Sequence, residues 1–502
     1  MPDRARALSR AGGSPDGTRH ATRPATVAPA PARALPSPPP RITWRALASG
    51  PTPSPPVSPL RSELRSLWKL AAPLAVLQLA HSAIGAVGTA IVGRYGRVGV
   101  VLEPGAGERA VAAVGLGNVL YFAVATLGLG FVLGFDPLLA QAIGAGERGE
   151  ARRIAWQAGW MSLLVSIPLT GALAAIAFAL PAFMEQGTGA EARDYLLAHL
   201  PSLWPFLLAA AARAYLQARD IVRPLLVGAV VANVVHAPLA WWLALELGWG
   251  AAGAGWAASA GTLAMMAVLL AAFFQLPGEA SARSIDPAML RRAARVGGPL
   301  ALQLFAEVGA FALATIFVGV LGERALASHH VALTLSSLSF QVALAIGAAA
   351  SVRVGHAIGR EDVPGTRRAG LTAIGAGAVF MAGCALLFVA LPAELAGTLT
   401  AEPPVIAAAV PLLLVAAAFQ IGDGIQAIAA GALRGAGDTR TTMLANLLGH
   451  YAIGLPVGLG LCFGLGWGAS GLWWGLSAGL CAVGALLSVR FWRLSRRPIA
   501  RA

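Results

Sequence analysis

From Leu67 onward the sequence is a succession of twelve apolar segments, each at or near the ~20 residues with which an α-helix crosses a bilayer. They run over approximately 67–92, 110–141, 154–180, 195–217, 224–247, 252–276, 296–321, 326–352, 369–392, 404–433, 442–465 and 470–490. Lipid offers no hydrogen-bond partner to a backbone N–H or C=O, so such segments are confined to helices. The expected fold class is an all-α polytopic membrane protein with twelve transmembrane helices. Only 12% of the residues are charged, too few to clothe a soluble domain, and the 60 glycines suit helices that approach closely.

The formal charge of +14 does not point to nucleic acid. It is almost wholly arginine, with Lys69 the one lysine, and no basic stripe is interleaved with aromatics. The arginines sit between the apolar segments and alternate in density. Arg148, Arg152, Arg153, Arg213, Arg219 and Arg223 lie on one side, with Arg291, Arg292, Arg353, Arg360, Arg434 and Arg440. Only Arg94, Arg97, Arg109, Arg193 and Arg324 lie on the other. The positive-inside rule then places both termini in the cytoplasm of a protein of the cell's inner membrane. Residues 1–65 are expected to form a disordered cytoplasmic tail, since 1–60 are rich in Pro, Ala, Arg and Ser without an apolar run, and no signal-peptide h-region is seen. Cys384, Cys462 and Cys481 all fall in apolar segments at no metal or redox spacing. Neither a Walker A motif, nor HExxH, nor GxSxG is present. The expected protein is therefore not an enzyme, has no cofactor, and has the bilayer and a small molecule as partners; a monomer is expected.

The two halves repeat. Asp220, Pro238 and Leu247-Gly248-Trp249-Gly250 recur at one constant spacing as Asp438, Pro456 and Leu465-Gly466-Trp467-Gly468. Pro73-Leu74-Ala75 recurs as Pro299-Leu300-Ala301, and Ala142-Ile143-Gly144 as Ala357-Ile358-Gly359. Six helices is an even number, so the copies share one orientation and are related by an axis along the membrane normal. The predicted organisation is a six-helix lobe over 66–280, a second over 281–490 and a cytoplasmic tail over 491–502. Parallel repeats of this kind belong to alternating-access transporters, with substrate between the lobes.

Two acids lie deep in apolar segments. Glu307 falls about eleven residues into its segment, roughly 16 Å deep at ~1.5 Å per residue, and Asp423 lies equally far before Arg434 in a helix running the other way. Intramembrane carboxylates must be neutralised, paired or turned to a cavity. The pair is a candidate proton or cation site, and would ligate metal only as Na⁺. Tyr451, Gln426 and Asn446 lie at comparable depth and could support it. His81 occupies the repeat position of Glu307; His81 and His236 could titrate or contact substrate, and a packed core histidine is the competing reading. Asp136, within about two turns of a segment end, could break the helix, act as a gate or bind a cation. Asp220 and Asp438 are expected to hold helix ends, His329 and His330 to lie at an interface, and Trp249, Trp467, Trp473 and Trp474 to form an external aromatic belt.

These residues resemble the multidrug and toxic compound extrusion (MATE) family across about 66–490. The marks are AIVGRYG and AVAAVGLGN, DPLLAQAIGAGE, GGPLALQLFAEV, ASHHVAL and, most specific of all, DGIQAIAAGALRGAGDTR. The resemblance implies two six-helix lobes in a V and a secondary antiporter exporting organic cations, drugs or other amphipathic compounds against Na⁺ or H⁺. It also implies that Glu307 and Asp423 are the cation-coupling carboxylates of the C-terminal lobe. Where many bacterial members have an aspartate in the first helix, this chain has Gly88 in Val87-Gly88-Thr89. A lipid-linked oligosaccharide flippase of the same superfamily is the alternative, and it would require a positively charged cavity; few arginines fall inside the apolar segments.

Overall fold

The computed structural model describes residues 59–94, 106–184, 186–277 and 281–502, so that the expected tail up to 58 and the side chain of His81 lie outside them. Among these residues the chain is helical and has no strand. The first half comprises α1 (Pro59–Val92), α2 (Ala106–Leu133) continued by α3 (Asp136–Gly144), α4 (Arg148–Phe183), α5 (Gln186–His199), α6 (Leu203–Ala218), α7 (Arg223–Trp241) and α8 (Gly250–Gln275). The second comprises α9 (Pro287–Gly319), α10 (Glu323–Gly359), α11 (Val363–Ala390), α12 (Pro392–Gly397), α13 (Pro403–Gly435), α14 (Thr439–Leu447), α15 (Leu455–Leu459) and α16 (Gly468–Leu494). Eleven described spans are long and apolar enough to cross a bilayer. At 34 residues, α1 makes the twelfth.

Several helices outrun their apolar segments. Residues 59–65, expected in the tail, form the first turns of α1, where Glu63 pairs with Arg353 of α10 at 3.0 Å. Helix α9 begins at Pro287, because Asp286 caps it by accepting hydrogen bonds from the Ala288 and Met289 N–H groups. Asp362 and Asp438 cap α11 and α14 in the same way. An amphipathic helix end protruding from the bilayer costs no apolar burial, so hydropathy alone underestimates its length.

The repeat is preserved as backbone devices. Pro73 and Pro299 both lie inside helices, α1 and α9. The π-helical turns Trp242–Glu246 and Gly460–Gly464 occupy matching places. Each is followed by a Leu-Gly-Trp-Gly turn whose first glycines, Gly248 and Gly466, have φ of 71° and 72°. That left-handed conformation strains a residue with a Cβ, so the turn retains glycine in both copies. Across the halves α1 packs on α10 and α2 on α9, contacts that a two-fold axis would exchange.

Close packing rests on small residues. Helix α13 lies against α10, α11 and α16. An added Cβ at Gly431 or Gly435 would collide with the α10 backbone at Gly347 or Ser351, so the two glycines, one turn apart, are what lets α13 seat there. Buried Ala345, Ala349, Ala429 and Ala432 complete that seam. Between the halves, Gly130 of α2 presses on the Ala301 backbone and Gly134 on Gly297 of α9. Further cross-half ties run from Gln141 to the Gly435 carbonyl (3.0 Å), from His356 to the Ala218 carbonyl (2.7 Å) and from Arg501 to Glu147 (2.8 Å). These ties gather toward the face at which α16 ends, here called the tail face.

The aromatic belt is only partly as expected. Trp249, Trp467 and Trp474 are exposed, but Trp473 is fully buried. Its indole N–H donates to His329 Nδ1 at 3.0 Å, so the His329 proton is on Nε2, 3.0 Å from Thr315 Oγ1. The Thr315 hydroxyl donates in turn to the Phe311 carbonyl at 3.0 Å. His329 is thus a satisfied core histidine and not an interfacial one.

Two predictions follow from this packing. Gly130→Val should lower stability by about 1–3 kcal/mol through overpacking against α9, read as a reduced unfolding temperature in detergent. Asp286 is held below the ordinary carboxylate range, chiefly by the Met289 N–H and then by the Arg153 guanidinium of α4. Asp286→Asn should therefore destabilise the protein at pH 7. That difference is present above the ordinary aspartate pKa of about 3.9 and should vanish as pH falls through the depressed native value.

Candidate functional site

Between the halves lies a cavity of about 670 Å³, within the usual range for a drug-sized ligand. It is lined from both sides, by α1, α2, α3, α5, α6, α7 and α8 of the first half and by α9, α10 and α13 of the second.

Its acidic wall belongs to the second half. Asp423 sits about three turns before the end of α13, flanked by Gly422 and Gly424. A Cβ at Gly422 would meet Cys481 of α16, and one at Gly424 would meet Met381 of α11. Packing on both flanks leaves the carboxylate the cavity side, where it is 4% exposed. Glu307, near the middle of α9, lines the same cavity within electrostatic reach of Asp423. The structure therefore brings together the two acids that the sequence singled out.

Gln426, one turn after Asp423, lies beside Glu307 and donates from Nε2 to Asn446 Oδ1 at 2.7 Å. Asn446 donates to the Thr442 carbonyl at 2.9 Å and so forms a layer behind the wall, not the wall itself. Tyr451 does not reach the acids. Its hydroxyl donates to the Ala306 carbonyl at 2.9 Å, and its ring, 38% exposed, faces outward. The residue that sequence reasoning passed over is His450, buried in the π-helical turn Leu448–Gly454 and adjacent to Glu307. Its Nδ1 lies 2.9 Å from the Asn446 carbonyl, which can only accept. Nδ1 therefore carries a proton, and the buried Nε2 has no hydrogen-bond partner. The signal was a histidine one turn beyond Asn446 in an apolar segment, masked by the more conspicuous tyrosine beside it.

Asp423 Oδ1, Gln426 Oε1 and His450 Nε2 are all buried without a hydrogen-bond partner. Such a concentration fits a proton, a cation or water better than closed protein–protein pairing. Among the described residues no three His, Cys, Asp or Glu side chains converge as a metal-binding group.

The opposite wall is uncharged. Tyr195 donates to Asn118 at 2.8 Å, Tyr121 shares a hydrogen with Ser202 at 2.7 Å, and His199 meets the Tyr121 ring edge-on at 3.9 Å. His236 lines this wall with its ring against Gly88, where a Cβ would lie 3.4 Å away, and its buried Nδ1 has no partner. His236 and the acids thus share the cavity from opposite walls; Asp136 lies at its tail-face end, where α2 breaks and α3 begins. Arg213 and Arg434, both counted among the arginines between segments, line that end too.

The MatE family model matches residues 73–242 and again 299–459, one copy in each half. The "Probable multidrug resistance protein NorM" of Synechococcus sp. is 34% identical over 457 residues, covering 87% of this chain and 95% of that protein. The "Multidrug resistance protein NorM" of Burkholderia vietnamiensis is 35% identical over 438 residues, covering 84% and 92%. Among solved structures, the eukaryotic MATE transporter AtDTX14 superposes with a TM-score of 0.77 at 21% identity, covering 87% of this chain and 98% of that one. The Vibrio cholerae MATE transporter VcmN in its bent form gives 0.74 at 18% identity, covering 87% and 98%.

Because an ionised carboxylate buried in hydrocarbon costs more than a neutral amide of the same shape, Glu307→Gln and Asp423→Asn should not lower the unfolding temperature. A fall of several degrees in detergent for Asp423→Asn would contradict the open position of Asp423 Oδ1 described above.

Proposed function

Given that the chain belongs to the MatE family of membrane transporters, we propose that it is a secondary active antiporter. It exports organic cations, drugs or other amphipathic small molecules in exchange for Na⁺ or H⁺. The observation that supports this most directly is the acid pair. Glu307 and Asp423 share one wall of a cavity between two repeat-related halves, with acceptors left open around them.

Two carboxylates in one low-dielectric pocket repel each other unless a proton or cation lies with them. Filling the site lets α9 and α13 approach; emptying it drives them apart. A coupling ion can move an alternating-access equilibrium only through such a difference in affinity between states. With the arginine-rich loops cytoplasmic, the tail face is the inner face of the cell membrane and both termini are cytoplasmic. The cross-half ties then close the cytoplasmic side, and the cavity belongs to the outward-facing state. In that state the ion enters from outside and substrate leaves. The aromatic and imidazole wall of the first half suits flat amphipathic molecules.

The flippase reading draws no support from the relatives, whose names are of multidrug resistance proteins. The acid wall runs against the positively charged cavity that reading requires.

The test is efflux of a cationic dye from proteoliposomes under Na⁺ and pH gradients imposed separately. One gradient should drive efflux in the wild type, and Glu307→Gln or Asp423→Asn should reduce that driven component by about tenfold or more while leaving the protein folded. Gradient-driven efflux at the wild-type rate in Glu307→Gln would sink the assignment.

A further inference from the structure

Helix α2 ends at Leu133, the chain turns at Gly134 and Phe135, and α3 starts at Asp136, followed by Pro137, which has no N–H to bond back. Asp136 therefore stands at a break, on the floor of the cavity, and is set between cations of both halves. Arg434, in the last turn of α13, approaches Asp136 Oδ2 from the opposite half at 3.4 Å. Arg213, on α6 of the same half as Asp136, lies within electrostatic reach on the other side. The pairing is incomplete: Asp136 Oδ1 and Arg213 Nε are both buried and both without a hydrogen-bond partner. One carboxylate oxygen is engaged across the gap between the halves, and the other is left beside a guanidinium of its own half.

We propose that Asp136 is a two-partner switch of the transport cycle. It is paired with Arg434 while the halves are closed at the tail face and handed to Arg213 when they part. This rests on the alternating-access reading above, though not on Glu307 or Asp423. Opening the tail face carries α13 away from α3 and breaks the Asp136–Arg434 pair, together with the Gln141–Gly435 bond next to it. A lone carboxylate on that floor would make the open state costly. Arg213 travels with Asp136 because α3 and α6 pack together within one half, so the carboxylate keeps a cation in either state. Arg434 keeps a contact as well, to Ser351 Oγ of α10 in its own half at 3.4 Å. Each state thus has its own charge pair, which is the differential contact that a two-state element needs. The opposing guanidiniums give the two arginines opposite effects on one equilibrium, and a merely structural ion cluster would not do that.

The test is a distance measurement between spin labels on the tail face, at Arg148→Cys of α4 and Arg360→Cys beyond α10. Both positions are exposed, and Cys384, Cys462 and Cys481 are replaced by serine. The full chain is used in lipid nanodiscs, without substrate or ion gradient, so the result does not depend on which ion is coupled or whether the acid pair couples it. Arg434→Gln should raise the ratio of long to short distances by about tenfold or more. Adding Arg213→Gln to that variant should bring the ratio back down by a similar factor, and Arg213→Gln alone should not raise it. In an Asp136→Asn background, neither arginine substitution should move the ratio. If Arg434→Gln and Arg213→Gln shift the ratio in the same direction, or if Arg213→Gln leaves the Arg434→Gln ratio unchanged, the switch is overturned. The arginine variants decide the matter even where Asp136→Asn does not fold.

Discussion

Hydrocarbon satisfies no polar group, and most of this architecture follows from that. Within the body of a helix each backbone N–H finds its partner in the same helix, and the described part of the chain has no strand. Helices cannot then be driven together by escape from water, because lipid tails are as apolar as leucine. What holds α13 to α10 is close approach, which Gly431, Gly435 and the alanines beside them make possible. The same constraint sends every side chain that must stay polar inward. Glu307, Asp423, Asp136, His236 and two arginines consequently meet in one cavity, although they come from five different helices.

The two halves show what repetition preserves and what it releases. Features that shape the backbone recur in both: prolines within α1 and α9, a π-helical turn at matching places, and glycine turns at positive φ. Side chains facing the cavity are free of that duty and have diverged. One wall carries two carboxylates; the other carries tyrosines and histidines, with Gly88 opening room for the His236 ring. A symmetric scaffold thereby encloses an asymmetric cavity, with the ion-like chemistry on one side and the aromatic surface on the other. The floor joins them, since Asp136 of the first half meets Arg434 of the second.

Much of the site was legible because deep acids are rare and conspicuous. Glu307 and Asp423 could be matched in depth by counting along two antiparallel helices, and they do line one wall. Gln426 and Asn446 were legible as company for them, but which of the two faces the cavity was not. Tyr451 and His450 are adjacent in sequence and point to different surroundings, one outward and one toward Glu307. Choosing between them requires the rotation of the segment about its axis, and the π-helical turn there alters that rotation. Trp473 and Trp474 present the same problem, one buried and one exposed. Arg213 was counted with the arginines between segments, although it falls within the 195–217 segment; its helix, which runs to Ala218, places it on the cavity.

The sequence by itself determined the apolar spans, the repeat and the places of Glu307 and Asp423 along their spans. All of these follow from runs of apolar residues and from local counting at a fixed rise per residue. Only the tertiary structure decided which way each helix faces. In a soluble protein the water-facing side of a helix is polar and can be read from its periodicity. Here the lipid-facing and protein-facing sides are equally apolar, so periodicity carries little information about orientation. The partners of Asp136, the seat of His236 against Gly88 and the place of His450 beside Glu307 therefore became visible only once the helices were packed.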